Sequence, residues 1–120
     1  MDNKAALYHA HIYYEPENRT IAEILHFRLS ELTKPGDSSP IHFIGQLRDS
    51  KVIPHPIPQF VIHIAKENFE AVLPIIASSG LRALVHPLSG DDLADHTISA
   101  QWIGEPLELE LASFRPSGAH

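Results

Sequence analysis

The chain has 120 residues and a net charge of −6, with nine Lys and Arg against fifteen Asp and Glu. A hydrophobic share of 43% with 20% charged residues suits one folded domain over 1–120 and argues against disorder. The absence of a Lys/Arg cluster argues against a nucleic-acid surface. No apolar run approaches the ~20 residues of a membrane helix. The lack of Cys removes disulfides, thiolate metal sites and a Cys nucleophile.

The start Met1-Asp2-Asn3-Lys4 lacks the pattern of a secretion signal, so a cytoplasmic location is expected. Residues 6–14, rich in aromatics and alternating in character, predict a first strand. Thr20 and Glu23 fit a capping box, and Ile21, Ile24, Leu25, Leu29 and Leu32 recur at helical spacing, predicting a helix over about 20–33. Strands are predicted over 41–47 and 59–64, separated by the turn-rich segment Pro54-His55-Pro56-Ile57-Pro58. Phe69, Val72, Leu73 and Ile76 form a second helical stripe with Gly80 as its C-terminal cap, and Pro74 inside it is expected to kink or shorten the helix. A fourth strand over 81–86 and a helical turn over 91–95 follow. Residues 107–111, Leu-Glu-Leu-Glu-Leu, predict a fifth strand, and 115–120 a flexible tail. The order βαββαβ plus an extra C-terminal strand predicts an α+β, ferredoxin-like antiparallel sheet with its helices on one face.

Histidines number nine, as many as Lys and Arg together. Imidazole is both the commonest transition-metal ligand and a proton carrier near neutral pH. Strand alternation sets His9, His11 and Tyr13 on one face of the first strand and Tyr8, Ala10 and Ile12 on the other. The apolar set belongs under the helices, so the histidines are expected on the open face. By the same alternation Ile41, Phe43 and Leu47 face the core, as do Phe60, Ile62 and Ile64, leaving His42, Gln46, Gln59, Val61 and His63 on the open side. His86 closes the fourth strand, and His55 sits in the loop entering the third. Each of these histidines also has a plain reading as a polar surface or strand-end residue; convergence is what would distinguish a site. Asp95-His96 reads equally as a helix-end polar pair or a carboxylate-oriented histidine. Trp102 reads as core packing, and Asp91-Asp92 as charges favouring a helix N-terminus.

Four segments taken in order carry a family resemblance. They are Tyr8-His9-Ala10-His11-Ile12-Tyr13-Tyr14, Pro54-His55-Pro56-Ile57-Pro58-Gln59-Phe60, the run from Leu84 through His86-Pro87 to Asp95-His96-Thr97, and Trp102-Ile103-Gly104-Glu105-Pro106-Leu107. Together they resemble the DOPA 4,5-dioxygenase-like family over roughly positions 7 to 111. Ile53 departs from the glycine that usually precedes Pro-His-Pro in that family. The resemblance implies a ferredoxin-like, dimeric protein that opens a small catechol such as DOPA with O₂, using a non-haem metal expected to be Fe(II), with Zn as a substitute in a purified sample. Its histidines carry over to His9, His11, His55, His86 and His96, while His42 and His63 lie outside its motifs. On that basis His11, His55 and His86 are expected to bind the metal. His9 is a fourth ligand or the acid-base residue, Asp95 and His96 support the ligands or His96 shuttles protons, and Tyr13 and Trp102 line a pocket for the aromatic substrate. No Asp or Glu lies on the expected histidine face, Glu15 beyond Tyr13 and Asp95 being the remaining possibilities, so a site of three histidines without a carboxylate is expected to suffice. The alternatives are a non-catalytic dimeric domain that binds a metal or an aromatic ligand, and a small oxygenase that needs no metal. The histidine excess favours a metal.

Overall fold

In the computed structural model, residues 7–33, 39–51, 54–88 and 92–111 are described. The expectations placed on Ile53, Asp91 and the 115–120 tail lie outside them. The chain forms β1 (Leu7–Tyr13), a 3-10 turn (Pro16–Asn18), α1 (Arg19–Ser30), β2 (Ile41–Ile44), β3 (Gln59–Ala65), a second 3-10 turn (Lys66–Asn68), α2 (Phe69–Ser78), β4 (Ala83–Pro87), α3 (Asp92–Asp95) and β5 (Gln101–Ile103). All strand pairs are antiparallel, in the order β2-β3-β1-β4-β5. This is the expected α+β sheet with β1 and β3 as central neighbours. No described helix is long and apolar enough to cross a membrane.

One core lies between the helices and one sheet face. Ala22, Leu25 and Leu29 from α1 and Val72 and Ile76 from α2 cluster with Ala10, Ile12, Ile41, Phe60, Ile62, Ile64, Ala83 and Val85. Period-2 alternation places these sheet residues, because successive side chains leave a strand on opposite sides. Pro74 does not end α2, which runs on to Ser78. It sits on the exposed side, where the carbonyl four residues earlier is open to water instead of an amide. Gly80, at φ 83°, then ends the helix in the left-handed conformation that glycine adopts without strain, its N–H donating to Ala77 O at 3.1 Å.

Four expectations change. The cap at the first helix forms one turn early, where Asn18 Oδ1 accepts the Glu15 N–H at 2.6 Å; Thr20 lies inside α1, and Glu23 instead pairs with Arg19. Phe43 does not face the core, because the register shifts between Ile41 and Phe43 and turns the ring to the other face. The fifth strand is Gln101–Ile103, paired with β4, and not 107–111. That later segment runs irregularly across the His55 loop, with Glu110 N–H donating to Pro54 O at 2.8 Å and Lys51 paired to Glu110, so no alternating edge forms there. Finally, the sheet face opposite the helices is not open at its centre: Leu84 is fully buried, and His11, Tyr13 and His86 are also buried.

Truncating Ile62 to Ala should destabilise the fold by about 2–5 kcal/mol, since it leaves a cavity in a closed core. The same change at Phe27, 66% exposed on α1, should stay within about 0.5 kcal/mol. Urea unfolding midpoints check both.

Candidate metal centre

The second sheet face is built by cross-strand pairing. His9 stands opposite His63 on β3 and His86 on β4, His11 opposite Val61 and Leu84, Tyr13 opposite Gln59, and Trp102 opposite Leu84. Directly opposed residues share a face, so three neighbouring strands deliver His9, His11, His63 and His86 to one patch. The loop before β3 folds back over it. Its ends are fixed by the Tyr14 N–H donating to Pro58 O at 3.0 Å and by the Glu110 contact to Pro54. It sets the His55 ring 4.1 Å from the His11 ring. α3 and the turn after it supply Asp95, 1% exposed, and His96, whose ring lies 4.1 Å from that of His86.

Two triads have ligand atoms mutually within 4.8 Å, His9–His11–His86 and His11–His55–His96. His11 belongs to both. Its Nδ1 donates to Gln59 Oε1 at 2.9 Å. His86 Nδ1 lies 2.7 Å from Pro87 O, a carbonyl that only accepts, so Nδ1 carries the proton. Each ring therefore turns an Nε2 lone pair toward the other, and these two atoms are 3.0 Å apart. Two lone pairs at that distance repel unless a positive species lies between them. A proton is a poor solution, because burial first, and then His55, hold His11 well below the ordinary imidazole range. A metal ion satisfies both: two donors ~2.1 Å from one ion are about 3.0 Å apart at the right angles of a six-coordinate site and about 3.4 Å apart in a tetrahedral one. His55 Nδ1 lies 2.7 Å from the Tyr13 hydroxyl, a group that both donates and accepts, so this contact holds the ring without fixing its tautomer. A ring whose Nδ1 is held by a protein partner and whose Nε2 points inward is the usual form of a metal-ligating histidine.

Burial favours the neutral forms of His9, His11 and His55. Burial lowers His9 to about 4, aided by His63, His86 and His96 and opposed by Asp95. Burial, then His96 and His86, lower His55 to about 4 as well. Burial pushes the Tyr13 phenol upward, so it stays protonated. Tyr13 also stacks on Trp102, ring centroids 6.0 Å apart and 19° from parallel.

Every residue expected at the site is therefore brought to this face: His9, His11, His55, His86, Asp95, His96, Tyr13 and Trp102. Glu15 is not, since its carboxylate points to Arg82 at 3.9 Å. His42 is exposed. His63, outside the family's motifs, stacks on His9 at 4.1 Å and 13°. Gln59 is the residue whose role sequence reasoning missed; its place on the histidine face was the available signal.

Two outcomes follow from this geometry. Gln59→Ala should weaken metal binding about 10–100-fold by releasing the His11 ring, as read by competition with a chelator. The metal-free fold should also lose stability on acidification. With His9 and His55 depressed to about 4, the unfolded chain takes up protons first, below its ordinary value near 6.5. The loss sets in below that value and continues until the folded rings titrate, and thermal midpoints between pH 7 and pH 4 would record it.

The family model for the Dopa 4,5-dioxygenase family matches residues 8–113. The DOPA 4,5-dioxygenase of Amanita muscaria is 28% identical over 94% of this chain and 51% of its own length. An uncharacterized 21.2 kDa protein of Botryotinia fuckeliana is 30% identical over 85% of this chain and 60% of its own. The chain thus spans about half to three-fifths of these curated relatives. A crystal structure from Nostoc punctiforme, described as a "putative dioxygenase", superposes with a TM-score of 0.77 at 27% identity, covering 92% of this chain and 93% of that one. The chain belongs to the Dopa 4,5-dioxygenase family.

Proposed function

We propose that the protein is a non-haem iron extradiol dioxygenase that opens the ring of a small catechol with O₂. The observation that carries the reading is the facing Nε2 pair of His11 and His86, 3.0 Å apart, each ring pinned by its Nδ1. His11, His86 and His55 are the proposed ligands, since each has its Nδ1 held by a protein partner. His9 as a ligand in place of His55 is the second reading, favoured by the compact His9–His11–His86 triad. Neutral imidazoles suit Fe(II), and zinc would occupy the same donors.

Bound there, Fe(II) would supply the open positions and the electron exchange that bring a catechol and O₂ together. The chain's own residues do the rest. His9, neutral at pH 7 with burial holding it near 4, is a free base beside the ligands, able to take a catechol hydroxyl proton at a ring nitrogen and return it later. In the ligating tautomer His55 donates its Nδ1 proton to the Tyr13 oxygen, which leaves the Tyr13 O–H to donate toward the substrate side. Trp102, stacked on Tyr13, fixes that phenol's orientation. Asp95, buried beside the cluster, favours the positive charge that a metal and a protonated His9 bring. The homodimer that the family resemblance implies belongs to the same proposal and is checked by sedimentation equilibrium at micromolar concentration.

Anaerobic reconstitution with Fe(II), followed by oxygen and DOPA or a simple catechol, should give oxygen uptake with a yellow ring-opened product. His11→Ala and His86→Ala should lose both metal and turnover. His9→Ala should keep the metal and lose at least about 100-fold in rate, the usual contribution of a positioned acid-base group. Stoichiometric metal without uptake on any catechol would overturn the reading in favour of a binding domain. Metal loss in His9→Ala with retention in His55→Ala would exchange their roles.

A further inference from the structure

His9 differs from the other rings of the centre in how it is held. The Nδ1 atoms of His11, His55 and His86 have partners on Gln59, Tyr13 and Pro87. Among the described residues none hydrogen-bonds the His9 ring, so its orientation is left to packing. The terminal torsion of a histidine is broad and fixes no angle by itself. His11 and His86 meet the ring edge-on, at 5.8 Å and 78° and at 5.3 Å and 65°. The contact that covers a face of it is His63, at 4.1 Å and 13°. The β1–β3 register sets these two residues directly opposite, where flat side chains on neighbouring strands stack. Phe43 flanks His63 on the side away from His9, with ring centroids 4.7 Å apart. Burial, then His42, lowers the His63 imidazole, and burial holds His9 near 4. Both rings are therefore neutral at pH 7, and their stacking carries no charge repulsion.

We propose that His63 is a positioning residue, whose flat face clamps the His9 ring at the angle that presents a nitrogen to the metal centre. A base acts only when its nitrogen stays within hydrogen-bond reach of the proton it takes, and a ring free to turn spends much of its time elsewhere. The task of that nitrogen rests on the ring-opening reading; the clamp itself does not. Any flat ring at position 63 serves, whereas an aliphatic side chain fills the space without aligning its neighbour.

The test compares the zinc-loaded protein with His63→Ala, His63→Leu and His63→Phe by NMR, through nuclear Overhauser contacts from the His9 ring to the His86 ring and ¹³C relaxation of the His9 ring. Wild type and His63→Phe should show one ordered ring, and His63→Ala and His63→Leu a ring averaged about its Cβ–Cγ bond. With Fe(II), a catechol and O₂, His63→Ala and His63→Leu should lose about 10- to 100-fold in kcat, with KM and bound iron within about twofold of wild type, and His63→Phe should recover to within about threefold. An ordered His9 ring in His63→Ala overturns the clamp at any turnover. A kcat loss shared by His63→Phe, with its His9 ring ordered, assigns the work to the His63 nitrogens and overturns it too. A disordered ring at full kcat overturns the positioning role where His9→Ala loses the rate. Where His9→Ala keeps the rate, the acid-base assignment of His9 falls instead, and ring order alone decides the clamp. A protein that takes up no zinc overturns the metal centre, and the same NMR comparison on the metal-free chain then upholds or overturns the clamp.

Discussion

Two imidazole nitrogens, His11 Nε2 and His86 Nε2, face each other 3.0 Å apart with their protons committed elsewhere. This contact is repulsive in the bare protein and attractive around a cation, and the surrounding structure is arranged to hold it. Gln59 and the Pro87 carbonyl fix the tautomers. The β1–β4 register sets His9 and His86 side by side, and burial removes the proton that would otherwise relieve the repulsion. A metal ion bound here would add folding free energy, because the unfolded chain holds no such arrangement.

The fold solves a supply problem. A metal centre needs donors from distant parts of the chain, and an antiparallel sheet with crossover helices delivers them through strand register. β1 gives two histidines at a spacing of two, β4 gives one, and the loop before β3 and the turn after α3 roof them with His55 and His96. The long helices α1 and α2 have no direct part in the site. They cover the opposite face, so that Ala10, Ile12, Ile62 and Val85 anchor the strands whose alternate residues form the centre.

Much of this was legible because period 2 is rigid. His9, His11 and Tyr13 could only share a face, and an apolar Tyr8-Ala10-Ile12 set could only turn to the helices. The family motifs then added His55 and His96, which no periodicity reaches from a loop and the turn after a short helix. Three features escaped for physical reasons. A bulge in β2 reversed the phase at Phe43, and no residue type announces a bulge. The alternation of Leu107 to Leu111 fits an irregular strap with one side tucked in as well as it fits a strand, while the true fifth strand spans Gln101–Ile103, too short for a pattern. Gln59 reads as a polar strand start until His11 is found 2.9 Å away. Alternation placed His9, His11, His63 and Tyr13, while the phase of the fourth strand left the face of His86 open, and the division of labour depends on hydrogen bonds that sequence does not show.

The most direct measurement is the ¹⁵N chemical shift of the histidine side chains, in the metal-free protein and after one equivalent of Zn(II). His11 and His86 are expected as Nδ1–H tautomers in the metal-free state at pH 7, with their Nε2 resonances moving on zinc addition while Nδ1 keeps its proton. Nε2–H tautomers at both rings, or Nε2 shifts indifferent to zinc, would contradict the metal centre outright.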